Sequence, residues 1–164
     1  MNLLAPNKIK YKKNHKPLII KTINYDKYLS YGTFGLQALE SGLLNAIQIE
    51  ALRKAVIKRV KKIGKGKIWL KVFPYVSLTK KPAETRMGKG KGSHHIWVSP
   101  IKAGNFLLEI FGSEVSFDTA YRSCKFGAAK LPIKTRFIYK ELPPEEIIFK
   151  FINRKKIKKT YDEF

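Results

Sequence analysis

The sequence predicts an α+β fold: two amphipathic helices set among short strands, with one pair of strands joined by a long basic hairpin loop. Three observations carry this. Apolar residues recur at helical spacing over residues 45–63 and again over 116–130. Around them lie short runs, at 28–39, 67–73, 94–99, 106–111 and 133–139, that alternate in polarity or concentrate β-branched and aromatic residues. The stretch KKPAETRMGKGKGS at 80–93 interrupts two of these runs and gives a core nothing to bury. The 164 residues fit the usual size of one domain, and a hydrophobic share of 44% supplies a modest core.

Residues 1–27 read as a basic amino-terminal arm. It carries Lys8, Lys10, Lys12, Lys13, Tyr11 and His15, shows no sustained period, and has too little apolar surface to fold alone. Its lysines suit phosphates and Tyr11 suits a base stack; a solvated tail is the plainer alternative.

Residues 28–140 read as the core. The first strand, at 28–39, holds glycines at 32 and 35 that suit a bulge or close backbone approach, and Gly42 breaks it. Asn45 caps the first helix, with Gln48 three residues on. Ile49, Leu52, Val56, Val60 and Ile63 form its buried stripe, and Gly64 stops it. Lys54, Lys58, Lys61 and Lys62 lie opposite, a solvated face in the plainest reading; with Arg53 they are also candidate RNA contacts.

Next, Ile68, Leu70 and Val72 alternate with Trp69, Lys71 and Phe73, giving a strand with one core face and a second, partly covered face. Pro74 ends it. This strand and the one at 94–99 are expected to be the two sides of the hairpin. Residues 103–105 turn into the strand at 106–111. Ser116 caps the second helix, whose Phe117, Ala120, Tyr121, Cys124 and Ala128 share one side and whose Gly127 weakens the last turn. Leu131 and Pro132 end it before the strand at 133–139. An extension, 141–164, follows, with a short helix packed through Ile147, Ile148, Phe151 and Ile152.

Charge says more about partners than about fold. Lys and Arg number 34 against 12 Asp and Glu, a formal net charge of +22. Such a balance points first to nucleic acid and second to an anionic membrane. No apolar run approaches the roughly 18–20 residues that span a bilayer, and the start lacks the apolar core of a signal peptide. The main helix lacks Trp and Phe in its apolar stripe, which argues against a membrane-surface role. A lone Cys124 excludes an intrachain disulfide and a cysteine-rich zinc site. Within the loop, Lys80, Lys81, Arg86, Lys89 and Lys91 face only one acid, Glu84, and Gly88, Gly90 and Gly92 alternate with the last lysines around Met87. Cations on so open a backbone repel one another and call for a polyanion or water.

Catalytic patterns are missing. The glycine–lysine run is no nucleotide-binding P-loop, since no Gly-Lys is followed by Ser or Thr and a strand follows in place of a helix. His94 and His95 point to opposite faces of a strand and cannot share a metal. Glu40, Glu50, Glu84 and Glu109 show no pairing suited to acid–base work.

Five segments, GTFGLQAL at 32–39, QIEALRKAV at 48–56, GKIWLKVFP at 66–74, KKPAETRMGKGKG at 80–92 and AAKLPIKTRF at 128–137, closely resemble one family, the bacterial-type large-subunit ribosomal protein numbered sixteen. The resemblance covers about residues 11–140. It implies compact antiparallel sheets with two main helices, of the hammerhead type, and a structural role with no enzyme activity, no cofactor and no metal. Implied partners are large-subunit rRNA, A-site tRNA with P-site tRNA as a further contact, and neighbouring large-subunit proteins, with no membrane. The A-site role near the peptidyl transferase centre falls on Arg86, Met87, Gly88, Lys89, Gly90, Lys91 and Gly92. Lys80, Lys81, the arm residues, the first-helix cations and Lys134 of the KLPIKT motif complete the expected RNA contacts. Pro17-Leu18-Ile19-Ile20 and His94-His95 depart from the family pattern. The extension and a usage rich in Lys, Ile, Asn and Tyr suggest an organellar version, mitochondrial before plastid, with the bacterial cytoplasm as a further alternative. A free-standing RNA-binding or RNA-processing protein is the competing reading, and it should show a catalytic cluster.

Overall fold

Two antiparallel sheets and two helices make up the computed structural model, which describes residues 4–19, 29–63, 66–112 and 115–140. The first sheet has the order β3 (Lys67–Leu70), β6 (Phe106–Phe111), β1 (Phe34–Ala38) and β7 (Thr135–Tyr139). The second has the order β2 (Gly42–Asn45), β5 (Ser93–Ile101) and β4 (Val76–Lys80). Helices α1 (Ala46–Ile63) and α2 (Phe117–Ala128) pack on each other, and α2 also packs on β1 and β7. This is the α+β architecture expected. The extension's helix and the stop at Gly64 fall outside the described residues.

The alternation in β3 decides how the first sheet is used. Ile68 pairs with Ile110 and Leu70 with Leu108, and on β1 Phe34 and Leu36 continue the same face. That face meets α1 through Ile49, Leu52, Val56 and Val60, and α2 through Ala120, Tyr121 and Cys124, in one apolar cluster. Each fully buried Leu or Ile there contributes about 1.5–3 kcal/mol over an exposed one. Phe117 of α2 meets Phe137 and Tyr139 of β7 edge-on, at 5.6 and 5.3 Å. Burial of Cys124 pushes its thiol well above the ordinary range, which leaves it an inert core side chain.

Both caps form. The backbone N–H of Asn45 donates to Gln48 Oε1 at 2.9 Å, half of a capping box, and Ser116 Oγ accepts from the Thr119 N–H at 3.3 Å.

Three expectations are corrected. The strand at 67–73 does not pair across the loop with 94–99; β3 pairs with β6, and the loop's first side is β4. Pro74 lies in the 71–75 connection between β3 and β4, where the chain leaves one sheet and enters the other. Gly42 opens β2 and does not break the chain, because it pairs with Ile101 on β5 and Leu43 after it pairs with Pro100. Regular pairing of the first strand begins only at Phe34, the backbone of residues 30–32 being held by the Glu109 carboxylate. Gly127 is retained within α2, at the point where α1 touches it. A Cβ there would stand 2.7 Å from Leu52 Cδ1 and 2.8 Å from Val56 Cγ2, closer than real Cβ atoms come.

Candidate nucleic-acid interface

Strands β4 and β5 hold the basic loop at both ends, with Lys80 opposite Ser93. Residues 82–91 are exposed throughout, Met87 completely. The alternating glycines have a backbone reason. Gly88 at φ +93° and Gly90 at +83° flank Lys89 at +55°, so consecutive residues occupy the left-handed region. Side chains added at Gly88 or Gly90 would meet nothing within 4 Å, so conformation and not crowding selects glycine there. The result carries Lys89 and Lys91 on a turn with no wall behind it.

The arm and the loop are tied together. Lys13 Nζ donates to the Lys91 carbonyl at 2.7 Å, and Lys91 Nζ donates in return to the Asn14 carbonyl. Ser77 on β4 is buried; its Oγ donates to the Lys12 carbonyl at 3.3 Å and lies 2.6 Å from His94 Nδ1 on β5. Lys81 Nζ reaches the Gly88 carbonyl at 2.8 Å, folding the loop back on its own stem. These ammonium groups are held by neutral carbonyls, which leave their charge uncompensated and turned to solvent. Lys80, Lys81, Ser93, His94 and His95 line a polar recess at the loop's base.

The remaining cations predicted as contacts sit on other elements. Lys54, Lys58, Lys61 and Lys62 are exposed on α1, as the helical period requires. Arg53 is engaged by Glu50 through Nε at 2.8 Å and its terminal nitrogen at 2.6 Å, and this fork holds the Glu50 carboxyl below its usual range. Arg59, not predicted, lies 3.4 Å from the centre of the Phe126 ring on α2. Lys134 is exposed and pairs with Glu40 at 3.6 Å. Lys8, Lys10, Tyr11 and His15 are exposed along the arm.

Glu109 is the group that sequence reading missed. It stands on the outer face of β6, fully buried, and accepts from the backbone N–H groups of Ser30, Tyr31 and Gly32 at 3.3, 2.7 and 2.8 Å. Lys71 Nζ completes the ring at 3.2 Å. Burial opposes its ionisation, but the N–H groups of Tyr31, Gly32 and Ser30 and the Lys71 ammonium together outweigh it and keep the carboxyl below the ordinary range. This is structural chemistry. Among the described residues, no three His, Cys, Asp or Glu side chains gather as metal ligands, and no helix is long and apolar enough to cross a membrane.

The site is thus an open basic loop with a basic arm laced to it, carried by a small α+β domain whose buried acid is matched by its own donors. Comparison with known proteins gives the family. The profile of the family described as Ribosomal protein L16p/L10e matches residues 6–138, and the chain belongs to that family. Proteins named large ribosomal subunit protein uL16 are similar over 136 residues, 83% of this chain and 96% of their own. Identity is 45% with that of Chelativorans sp. (strain BNC1), 44% with that of Nitrobacter hamburgensis and 40% with that of Leptospira biflexa. Together these matches support a structural role in the large ribosomal subunit, in translation, and the family is not enzymatic.

Proposed function

We propose that this chain binds large-subunit rRNA through phosphate contacts and presents its 86–92 loop to A-site tRNA, and secondarily P-site tRNA, near the peptidyl transferase centre. The observation that carries the reading is the mutual tie between Lys13 and Lys91, which joins arm and loop into one cationic surface. Lys8, Lys10, Lys12 and Lys13 on the arm, Lys80, Lys81, Arg86, Lys89 and Lys91 at the loop, Arg53, Lys54, Lys58 and Lys61 on α1, and Lys134 supply the charge, with His15 as a further contact and Tyr11 available to stack. On this reading residues 1–27 act as an arm, 28–140 as the binding core and 141–164 as an extension meeting a neighbouring ribosomal protein or rRNA. The family match ends at 138, just before that extension.

A mitochondrial version of the family is part of this proposal. Its support is the Lys-, Ile-, Asn- and Tyr-rich usage together with the extension; the named relatives are from bacteria. Tagged protein sedimenting with ribosomes from purified mitochondria would meet the expectation, and tagged protein found only with other ribosomes would overturn it.

Salt titration tests the binding. The log of affinity for structured rRNA should fall linearly with log salt, with a slope of about −0.7 to −0.9 per phosphate neutralised. A flat response would overturn the reading.

A further inference from the structure

We infer that the outer face of the first sheet, at its β3 edge, is a stacking site for an unpaired RNA base, built from Trp69 and Tyr31 and flanked by Lys67 and Lys71. It rests on the RNA-binding reading above and adds to it a second site of different chemistry, on the sheet that does not carry the loop. Trp69 is 44% and Tyr31 62% exposed, although both are large aromatic rings, Trp69 on β3 and Tyr31 in the segment that Glu109 holds. Their centroids lie 5.4 Å apart with planes tilted by 34°. Phe111, 49% exposed, stands on the same face, opposite Lys67 in the β3–β6 ladder.

The rings are held in place from below. Lys71 Nζ lies 4.6 Å over the Tyr31 ring, donates to Ser30 Oγ at 3.0 Å and pairs with Glu109. Glu109 in turn holds the backbone of 30–32, so Tyr31 is set against Trp69 by buried hydrogen bonds before any ligand arrives. Such preorganisation spares a ligand the ordering cost of mobile rings.

Charge selects the occupant. The one acid in this ladder position, Glu109, is fully buried and surrounded by donors, so the exposed groups are aromatic rings and the Lys67 ammonium, while the Lys71 ammonium beneath them is engaged by Glu109 and Ser30. Rings interleaved with cations take the π-face of a base and its neighbouring phosphates. A duplex hides those faces, so the site takes an unpaired nucleotide.

Tryptophan emission reads the site directly. The chain has two tryptophans, and Trp97 is only 8% exposed, with His94 against it at 4.5 Å. The full-length protein is titrated with an unstructured oligouridylate, with an RNA duplex and with polyglutamate. Quenching by the single strand alone, lost in Trp69→Phe, is expected. Trp69→Ala should lower single-strand affinity roughly ten- to hundred-fold and leave duplex affinity unchanged. Tyr31→Ala, which keeps the fluorophore, should lower it less. Single-strand binding with the expected salt dependence but no Trp69 quenching overturns the stacking site and leaves the phosphate reading standing. Equal quenching by polyglutamate also overturns it, assigning the face to acidic protein. Absence of salt-dependent binding to either RNA overturns both.

Discussion

The carboxylate of Glu109 lies wholly out of solvent with four donors turned toward it, whereas the cations of the 80–92 loop stand in water with backbone carbonyls at most. The two regions handle charge in opposite ways. Around Glu109 each polar group is matched, so removing one leaves others stranded in a dry site. In the loop nothing is matched in full, so removal leaves only water behind. Charge inside therefore works for the fold, and charge outside remains available for a partner.

Glu109→Ala is the strongest way to break this contrast. It strands the N–H groups of 30–32 beneath Tyr31 and leaves Lys71 without its counter-ion. Leaving a buried donor unsatisfied costs about 1–3 kcal/mol, so with several donors stranded the urea midpoint of the free protein should fall by more than any loop variant's. A loss as small as that of a loop variant would show the two regions to be alike.

Acid sharpens the same contrast. Glu109 binds its proton less readily folded than unfolded, and so does Glu50 beside Arg53. Their contribution to stability is therefore complete above the unfolded glutamate pKa of about 4.3. It is lost as pH falls from there through the depressed folded values. Urea midpoints measured downward from neutral pH should fall in that window, and Glu109→Gln should flatten the dependence.

Ser116 lies between the extremes, a neutral cap at a partly exposed helix end. Ser116→Ala removes the acceptor for the Thr119 N–H and a hydroxyl 2.8 Å from Thr119 Oγ1. A loss of about 1 kcal/mol is expected in chemical denaturation, with no change in RNA affinity.

Local periodicity made much of the fold readable. The stripe Ile49, Leu52, Val56 and Val60 is buried where a period of 3.6 places it, and the alternation of β3 assigns its core face. Partners in space were harder. Nothing in KVFPYVS says that the chain changes sheets at Pro74, because pairing is settled by residues far along the sequence. Glu109 sits among apolar neighbours in FLLEIF, and its ring of donors comes from residues 30–32 and 71. A glutamate inside an otherwise apolar strand was the available signal, since a buried charge needs matched donors. The loop was legible as a loop from its lysines and glycines, but its tie to the arm through Lys13 and Asn14 was not.

The smallest expected effect on stability tests the other half of the comparison. Arg86 is exposed, and among the described residues it makes no hydrogen bond or ion pair. Arg86→Ala should therefore shift free-protein stability by no more than about 0.5 kcal/mol, as at other surface sites. Binding should feel the change. A guanidinium can hold a phosphate with two parallel N–H bonds, which lysine, a point charge, cannot reproduce. Loss of one phosphate contact should reduce the salt slope for rRNA by about 1, and Arg86→Lys should restore the slope without restoring full affinity. Ribosomes assembled with Arg86→Ala should bind A-site tRNA more weakly or form peptide bonds more slowly. Wild-type behaviour in both assays would confine Arg86 to anchoring, while a stability loss near that of Glu109→Ala would return the loop to the fold.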